Sequence, residues 1–142
     1  MISQLTVFLQ NEKGRLAAAC RTIADAGINM HSLFLADTQD FGVVRMLVDQ
    51  PKKAAEALRA AGYRATITPV TAVRIPNQPG GLAKLLEYMD SQNVNVEYGY
   101  CFLAGEEFAI DVLKTDEDIE LESKLAEAGF QTVAPEEIYK LD

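Results

Sequence analysis

The chain contains one stretch in two forms, TVFLQNEKGRLAA at Thr6–Ala18 and AVRIPNQPGGLAK at Ala72–Lys84. The second form follows the first by 66 residues, and a repeat of this length indicates a duplicated structural unit. The remaining pairs are GINM (Gly27–Met30) over NVNV (Asn93–Val96), GVVRML (Gly42–Leu47) over FAIDVL (Phe108–Leu113) and, after a one-residue slip, AGYRAT (Ala61–Thr66) over AGFQTV (Ala128–Val133). We therefore expect two modules, residues 1–68 and 69–142.

Each copy carries the same order of strand and helix patterns. Leu5, Val7 and Leu9 alternate with polar residues, which is typical of a strand. Apolar residues then recur at helical spacing. They are Leu16, Ala19, Cys20 and Ile23 in the first copy, and Leu82, Leu85, Leu86 and Met89 in the second. Two further strands are predicted over 28–36 and 42–48, matched by 94–102 and 107–114.

A second helix and a last strand complete each copy. Pro51 predicts the helix start in the first copy, and the capping signal Thr115–Asp118 predicts it in the second. The last strands are predicted over Tyr63–Thr71 and Phe130–Val133. The order βαββαβ, present twice, predicts an α+β fold of two ferredoxin-like modules in tandem, each an antiparallel sheet with both helices on one face.

The opposite face of each sheet is then open. Strand parity places five large apolar side chains on this face in the first copy, and such a patch rarely faces water on a monomer. They are Phe8, Leu33, Leu35, Val43 and Leu47, against Arg74, Gly99, Cys101, Ala109 and Leu113 in the second copy. We expect the first copy's open face to form the larger interface, with a second chain in a homodimer.

Composition excludes several classes of protein. Apolar residues make up 49% of the 142 residues. The formal net charge is −8, and this negative charge argues against nucleic-acid binding. There is no apolar run of about 18 residues, which a membrane-spanning helix would need, and the N-terminal residues do not resemble a signal peptide. We expect a cytoplasmic protein with no membrane partner.

The residues for catalysis are few. Cys20 and Cys101 form no CxxC pair, and His31 is the only histidine. The nucleophile motif GxSxG, the dinucleotide motif GxGxxG and the phosphate loop GKS or GKT are all missing. We predict a protein that is not an enzyme, with no catalytic residue, no cofactor and no metal.

The first strand-to-helix turn of each copy could hold a ligand. Glycine allows a left-handed turn and close approach of the backbone, and the free N–H groups at a helix start suit a carboxylate. Asn29 and Asn95 begin the next strand in the two copies, and an asparagine side chain can take either the ammonium or the carboxylate of an amino acid.

Simpler interpretations remain open for these residues. Asn11 and Asn77 could be helix N-caps, and Asn29 and Asn95 could be turn residues. His31 has Glu97 as its counterpart and could be packed or solvated. Cys20 is expected in the core, and the acidic stretch Glu106–Glu122 is expected to be a solvated face.

These residues resemble the ACT domain, a small regulatory module that senses amino acids. The resemblance rests on two βαββαβ copies, on the N-x-x-G-x-L turn, which reads N-x-P-G-G-L in the second copy, and on V-N after the helix. It covers the whole chain and is closest to stand-alone tandem ACT proteins. In that family, modules pair side by side and an amino acid binds at the seam.

Carried over by position, the resemblance implies two composite ligand sites. The Asn77–Leu82 turn would face Asn29, and the Asn11–Leu16 turn would face Asn95, although Lys13 replaces the proline of the motif. The implied ligand-binding residues are Asn11, Gly14, Arg15, Leu16, Asn29, Met30, His31, Asn77, Gln78, Gly80, Gly81, Leu82, Asn95 and Val96.

The leading hypothesis is thus a non-catalytic amino-acid sensor that acts on a regulated protein partner. The alternative is a protein–protein interaction module with degenerate ligand pockets. RNA-recognition modules share the βαββαβ order, but they need basic residues and stacked aromatic pairs on the sheet, which this sequence lacks. Copper chaperones also share the order, but they carry M-x-C-x-x-C before the first helix.

Overall fold

The computed structural model describes residues 1–37, 41–116 and 120–142. The strands in these ranges are β1 (Ile2–Gln10), β2 (Met30–Asp37), β3 (Phe41–Val48), β4 (Arg64–Pro76), β5 (Val96–Leu103), β6 (Phe108–Thr115) and β7 (Gln131–Thr132). The helices are α1 (Arg15–Asp25), α2 (Pro51–Ala60), α3 (Gly81–Ser91) and α4 (Leu121–Glu127), with a short 3-10 turn at Pro135–Glu137. None of the helices in the described ranges is long and apolar enough to cross a membrane.

The chain divides into two compact modules. The first module consists of Ser3–Thr68 together with Pro135–Asp142, and the second consists of Met1–Ile2 together with Pro69–Ala134. The chain passes from one module to the other within β4, so the last strand of the first copy and the first strand of the second are one strand of 13 residues. Residues 135–142 thus group with the first copy, although they follow the second in sequence.

In the first module the strand order is β2-β3-β1-β4. The pairs β1–β3 and β2–β3 are antiparallel. Side chains of β1 and β3 pack with α1 and α2 into one core, since alternate residues of a strand point to the same face. The buried members of this core are Leu5, Val7, Leu9, Ala19, Ile23, Ile28, Val44, Met46, Val48, Ala54, Ala55, Leu58 and Ala65.

The second module repeats this plan. Its strands are ordered β4-β6-β5, all antiparallel, and β7 pairs with β4. The core against α3 and α4 consists of Val73, Ile75, Leu85, Met89, Val94, Ala109, Leu113, Leu121 and Leu125. The α+β fold of two ferredoxin-like modules, predicted from the repeat, is confirmed.

The prediction of which side chains lie on the open faces is wrong in part, because each module has a β-bulge near the start of its second strand. Between Met30 and Ser32, and again between Val96 and Tyr98, the register with the neighbouring strand shifts by one residue. Such a shift sends every later side chain to the opposite face. Leu33 and Leu35 lie opposite Met46 and Val44 of the core, so they lie on the helix face.

In the second copy Gly99 and Cys101 lie on the helix face for the same reason. Ala109 and Leu113 also lie on the helix face, because the alignment of the third strands is off by one residue, and only Arg74 points to the other side. In the first copy Phe8, Val43 and Leu47 do share the other face, but Leu47 is fully buried. The exposed apolar side chains of the β2 edge are Leu33, Phe34 and Leu35 instead.

The alignment of the third strands also needs correction. Leu9 pairs with Gly42, and Ile75 pairs with Ala109, so Gly42 corresponds to Ala109 and not to Phe108. The one-residue slip between the copies therefore falls before β3 and not after it. Cys20, expected in the core, is only half-buried.

The predicted start of the second helix agrees with the structure only in the first copy. Pro51 is the first residue of α2, as predicted. In the second copy α4 begins at Leu121, after Glu120 in a left-handed conformation, and no side chain caps it. The predicted signal Thr115–Asp118 is therefore wrong as a helix start, and its residues Glu117 and Asp118 lie outside the described ranges.

The end of the chain caps α2. The two carboxylate oxygens of Asp142 accept hydrogen bonds from the backbone N–H groups of Lys52 and Lys53, each at 3.0 Å. The Tyr139 hydroxyl accepts a hydrogen bond from the Ser3 N–H at 2.8 Å. These contacts attach residues 135–142 to the first module, and an anion at a helix N-terminus also opposes the helix dipole.

We expect Asp142→Ala to lower the free energy of unfolding by about 0.5–2 kcal/mol, because it removes the acceptor for two N–H groups at the start of α2. Urea denaturation measures this change. Glu56→Ala, which removes the same charge from the surface of α2, is the matched control and should change the free energy by less than about 0.5 kcal/mol. Equal effects of the two variants would contradict the capping role.

Candidate functional site

The turns before α1 and α3 have the same backbone geometry. Gly14 and Gly80 are the N-cap residues of these helices, with φ of 88° and 85°, in the left-handed region that glycine tolerates best. No side chain caps either helix. The interpretation of Asn11 and Asn77 as N-caps is therefore wrong, and the first N–H groups of both helices lack a side-chain acceptor.

The second turn is tighter than the first. A Cβ atom on Gly81 would lie 2.3 Å from the carbonyl oxygen of Pro76, so only glycine fits there. In the first copy the same position holds Arg15, which is exposed. Asn77 is fixed to the β5–β6 loop, since its Nδ2 donates to the Glu106 carbonyl at 3.1 Å.

Each turn borders a cavity that carries basic side chains. The cavity at the second turn has a volume of about 460 Å³ and is lined by Gln78, Gly80 and Gly81 together with Arg74 and Lys84. The cavity at the first turn, of about 240 Å³, is lined by Arg15 and Arg64 among others. Both cavities place basic side chains beside the start of a helix, a combination that suits a carboxylate.

Arg15 is only partly available at the first turn. Its Nη2 donates to the side chain of Gln10 at 2.7 Å, and its Nε lies 3.7 Å from the Glu12 carboxylate. At the second turn Arg74 lies over the ring of Phe108, 5.8 Å from its centroid. The two turn cavities therefore differ in their charged groups and in volume.

Asn29 and Asn95 immediately precede the bulged strands β2 and β5. The Asn29 carbonyl accepts a hydrogen bond from the Asp49 N–H, and the Asn95 carbonyl accepts one from the Asp116 N–H. Both asparagine side chains are exposed. The backbone is thus held by the end of the neighbouring strand, while the amide remains accessible to a ligand.

His31 is held by Asp49 and by the end of the chain. Its Nε2 lies 2.8 Å from Asp49 Oδ1, and the same oxygen accepts the Lys140 N–H at 2.7 Å. These two hydrogen bonds, that of Lys140 first, lower the pKa of Asp49 below its ordinary value. A cavity of about 570 Å³ lies here, lined by Asn29, His31, Asp49, Glu136, Ile138, Tyr139, Lys140 and Leu141.

The structure separates the implied residues within each module. In the first module Arg15 lines one cavity, whereas Asn29 and His31 line another. In the second, Gln78 and the two glycines line one cavity, whereas Leu82 and Val96 line another. Among the remaining implied residues, Leu16 and Met30 are half-buried. The pairing of a turn with an asparagine of the other module stays a prediction.

Sequence reasoning missed several residues of these cavities. Arg64 gave no signal because only the fold brings it to the first turn. Arg74 and Lys84 stand beside the second turn in sequence but belong to no motif. Residues 135–142 have no counterpart in the repeat. That lack of a counterpart was the one sequence signal that they differ in role from the repeated elements. Within the described ranges, no three His, Cys, Asp or Glu side chains are placed to bind a metal.

Comparison with known proteins gives consistent results. A family model described as an ACT domain pair matches residues 1–141. The crystal structure of protein BT0572 from Bacteroides thetaiotaomicron is similar, with 34% sequence identity and a TM-score of 0.91 over 99% of this chain and 96% of that one. No curated protein matches the sequence.

Two further solved structures are similar in fold. The regulatory subunit of aspartate kinase from Thermus thermophilus, in its ligand-free form, has 18% identity and a TM-score of 0.68, over 89% of this chain and 90% of that one. The corresponding subunit from Thermus flavus has 17% identity and a TM-score of 0.56, over 90% and 88%.

We expect Asp49→Asn to lower the free energy of unfolding at pH 7. The folded state lowers the pKa of Asp49, so its ionised form stabilises the fold at every pH above the unfolded pKa. The difference from the wild type should shrink as the pH falls below about 4. Urea denaturation between neutral and acid pH measures this, with Asp90→Asn, on the surface of α3, as the control. A difference that does not change with pH would contradict it.

Proposed function

The chain belongs to the ACT domain pair family, and from that premise we propose that it is a non-catalytic regulatory protein that binds a free amino acid. The observation that supports this best is the pairing of each first-strand turn with a cavity that carries basic side chains. Gly14 and Gly80 precede α1 and α3 in a left-handed conformation. Gln50 and Glu120 precede α2 and α4 in the same conformation, so the cavity and its charge, and not the backbone alone, distinguish the two turns.

The turns supply the groups that a carboxylate needs. Backbone N–H groups at a helix start donate to an anion, and Arg74 and Lys84 at the second turn, or Arg64 at the first, add positive charge. We place the ligand's carboxylate here. The second turn is the better candidate because its cavity is larger. It also has Gly81 at the position where the first turn has Arg15, whose guanidinium is hydrogen-bonded to Gln10.

The ammonium group needs acceptors, which Asn29 and Asn95 offer. Their carbonyl oxygens on the side chain are acceptors, and both side chains are exposed at the start of a strand. In the proposed sites the Asn77–Leu82 turn acts with Asn29, and the Asn11–Leu16 turn acts with Asn95. The ligand then bridges two modules and favours whichever arrangement completes the site.

The size of an amino acid is compatible with useful affinity. A ligand of about nine non-hydrogen atoms that binds at micromolar concentration needs roughly −0.9 kcal/mol per atom, below the ceiling of about −1.5 kcal/mol for small ligands. Bound in this way, it could shift the equilibrium between two states of the chain, and a regulated protein partner would read that shift.

One observation favours the alternative, an interaction module with degenerate pockets. The Nδ2 of Asn77 donates to the chain's own Glu106 carbonyl, so this amide offers a ligand only its oxygen. If the pockets are degenerate, the exposed apolar residues of the strand edges are the working surface. The two proposals differ in whether any amino acid binds.

We expect at least one of the twenty amino acids to raise the melting temperature at millimolar concentration, since a ligand that binds only the folded state stabilises it. Calorimetry with that amino acid should then show binding that Asn77→Ala and Asn29→Ala each weaken by about tenfold or more, because each removes one contact to the ligand. Gln92→Ala removes an exposed amide from the end of α3 and should leave the affinity unchanged. No response to any amino acid would contradict the sensor function and favour the interaction module.

We also propose that two chains pair along the β2 edge. Leu33, Phe34 and Leu35 are consecutive on this edge strand, with 40%, 37% and 48% of their surface exposed. An exposed, apolar edge of this kind favours pairing with another strand.

We therefore expect sedimentation to show a dimer at micromolar concentration, and Leu35→Asp to weaken it by about tenfold or more, because a charge would then lie in the interface. Leu141→Asp places the same charge at an exposed position outside the sheet and should leave the dimer intact. A stable monomer of the wild type at that concentration would overturn this proposal.

A further inference from the structure

A buried carboxylate in the second module is not explained by the fold. Asp111 lies on the helix face of β6, between Val73 of β4 and Cys101 of β5, and only 2% of its surface is exposed. The acidic stretch in which it stands was predicted to be a solvated face, which is wrong at this residue. Burying a charge without full compensation destabilises a protein, so its presence here needs a reason.

Only half of this carboxylate has a partner. The Cys101 thiol donates to Asp111 Oδ1 at 3.1 Å. The other oxygen, Oδ2, is buried, and no donor in the described part of the chain reaches it. Burial raises the pKa of Asp111, which indicates that the ionised form lacks stabilising contacts.

The first module shows that the fold does not require an acid at this position. By strand register, Val44 corresponds to Asp111 and Leu35 to Cys101. Val44 is fully buried among apolar side chains. The same architecture in the same chain is thus built with an apolar residue, so the demand for a carboxylate is specific to the second module.

A groove opens beside Asp111. It has a volume of about 210 Å³ and is lined by Leu82, Leu86, Val96, Gly99, Tyr100, Cys101, Asp111 and Leu113. Gly99 stands where the first module has Leu33, and Leu113 packs close to it, since a Cβ atom on Gly99 would lie 2.8 Å from Leu113 Cδ2. Leu82 and Leu86 of α3 are 39% and 36% exposed, so the groove is accessible from solvent.

We propose that this groove binds a small organic ammonium ion, whose N–H groups donate to the Asp111 carboxylate and whose hydrocarbon part packs on Leu82, Leu86 and Leu113. The lining is largely apolar and Asp111 contributes its carboxylate to it, so the ligand needs one cationic donor group and an alkyl body. A guanidinium binds a carboxylate best through both oxygens, and Cys101 already donates to one of them, which favours the smaller ammonium group.

This site goes beyond the amino-acid sites at the turns. It shares Leu82 and Val96 with the residues that the family resemblance implies, but its anchor, Asp111, is not among them. An alkylammonium ion has no carboxylate and so does not need the turns. A protein that binds such an ion but no amino acid would retain this site and lose the proposed function.

The test is calorimetry of the full chain with n-butylammonium chloride at neutral pH, with sodium butyrate and 1-butanol as probes that lack the ammonium. We expect saturable binding of butylammonium alone. Asp111→Asn keeps the shape of the side chain but removes its charge. Asp111→Val introduces the residue found at the equivalent position of the first module, Val44. Each variant should weaken binding by at least tenfold. Asp90→Asn changes the net charge equally on the surface of α3 and should leave the affinity within twofold.

Methyl NMR spectra locate the bound ion. Its addition should shift the methyl signals of Leu82, Leu86 and Leu113, and should not shift those of Leu33 and Leu35 in the first module. We expect both Asp111 variants to fold, with melting temperatures not below that of the wild type, because each removes a buried charge. The absence of saturable binding by the wild type, equal binding by Asp111→Asn, or shifts confined to other methyl groups would overturn the proposal.

Discussion

One extra residue near the start of β2, and another near the start of β5, decide which side chains of this protein face its helices. Each bulge shifts the register by one residue, so Leu33 and Leu35 in one module, and Gly99 and Cys101 in the other, turn toward the helices. The groove beside Asp111 and the exposed edge of β2 both depend on that shift. Without the bulges the same sequence would place these residues on the opposite face.

The repeat, the alternation of apolar residues and the helical spacing were sufficient to predict two βαββαβ modules, because each of these signals is local and occurs twice. They were not sufficient for the faces of β2 and β5, since a bulge carries no composition signal in this chain. The helix start at Leu121 was missed for a related reason. Thr115 and Asp116 resemble a cap, but Thr115 is the last residue of β6 and so cannot begin a helix.

The candidate sites were predictable where backbone conformation dictates the residue and not where only tertiary structure does. The left-handed turns at Gly14 and Gly80 were predictable because that conformation favours glycine. Arg64 was not, because its approach to the first turn depends on how the strands pack, and Arg74 and Lys84, although close to the second turn in sequence, belong to no motif. Asp111 was read as a surface acid because neighbouring acids surround it in the sequence, whereas its burial follows from strand pairing.

The attachment of residues 135–142 to the first module has a consequence for synthesis. Lys140 and Asp142 supply the hydrogen bonds to Asp49 and to the start of α2, yet the ribosome makes them after the whole of the second module. The first module therefore emerges with the N-terminus of α2 uncapped, and it gains these hydrogen bonds only after residues 135–142 have been made. Synthesis from the N-terminus thus supplies part of the first module's hydrogen bonds after the second module.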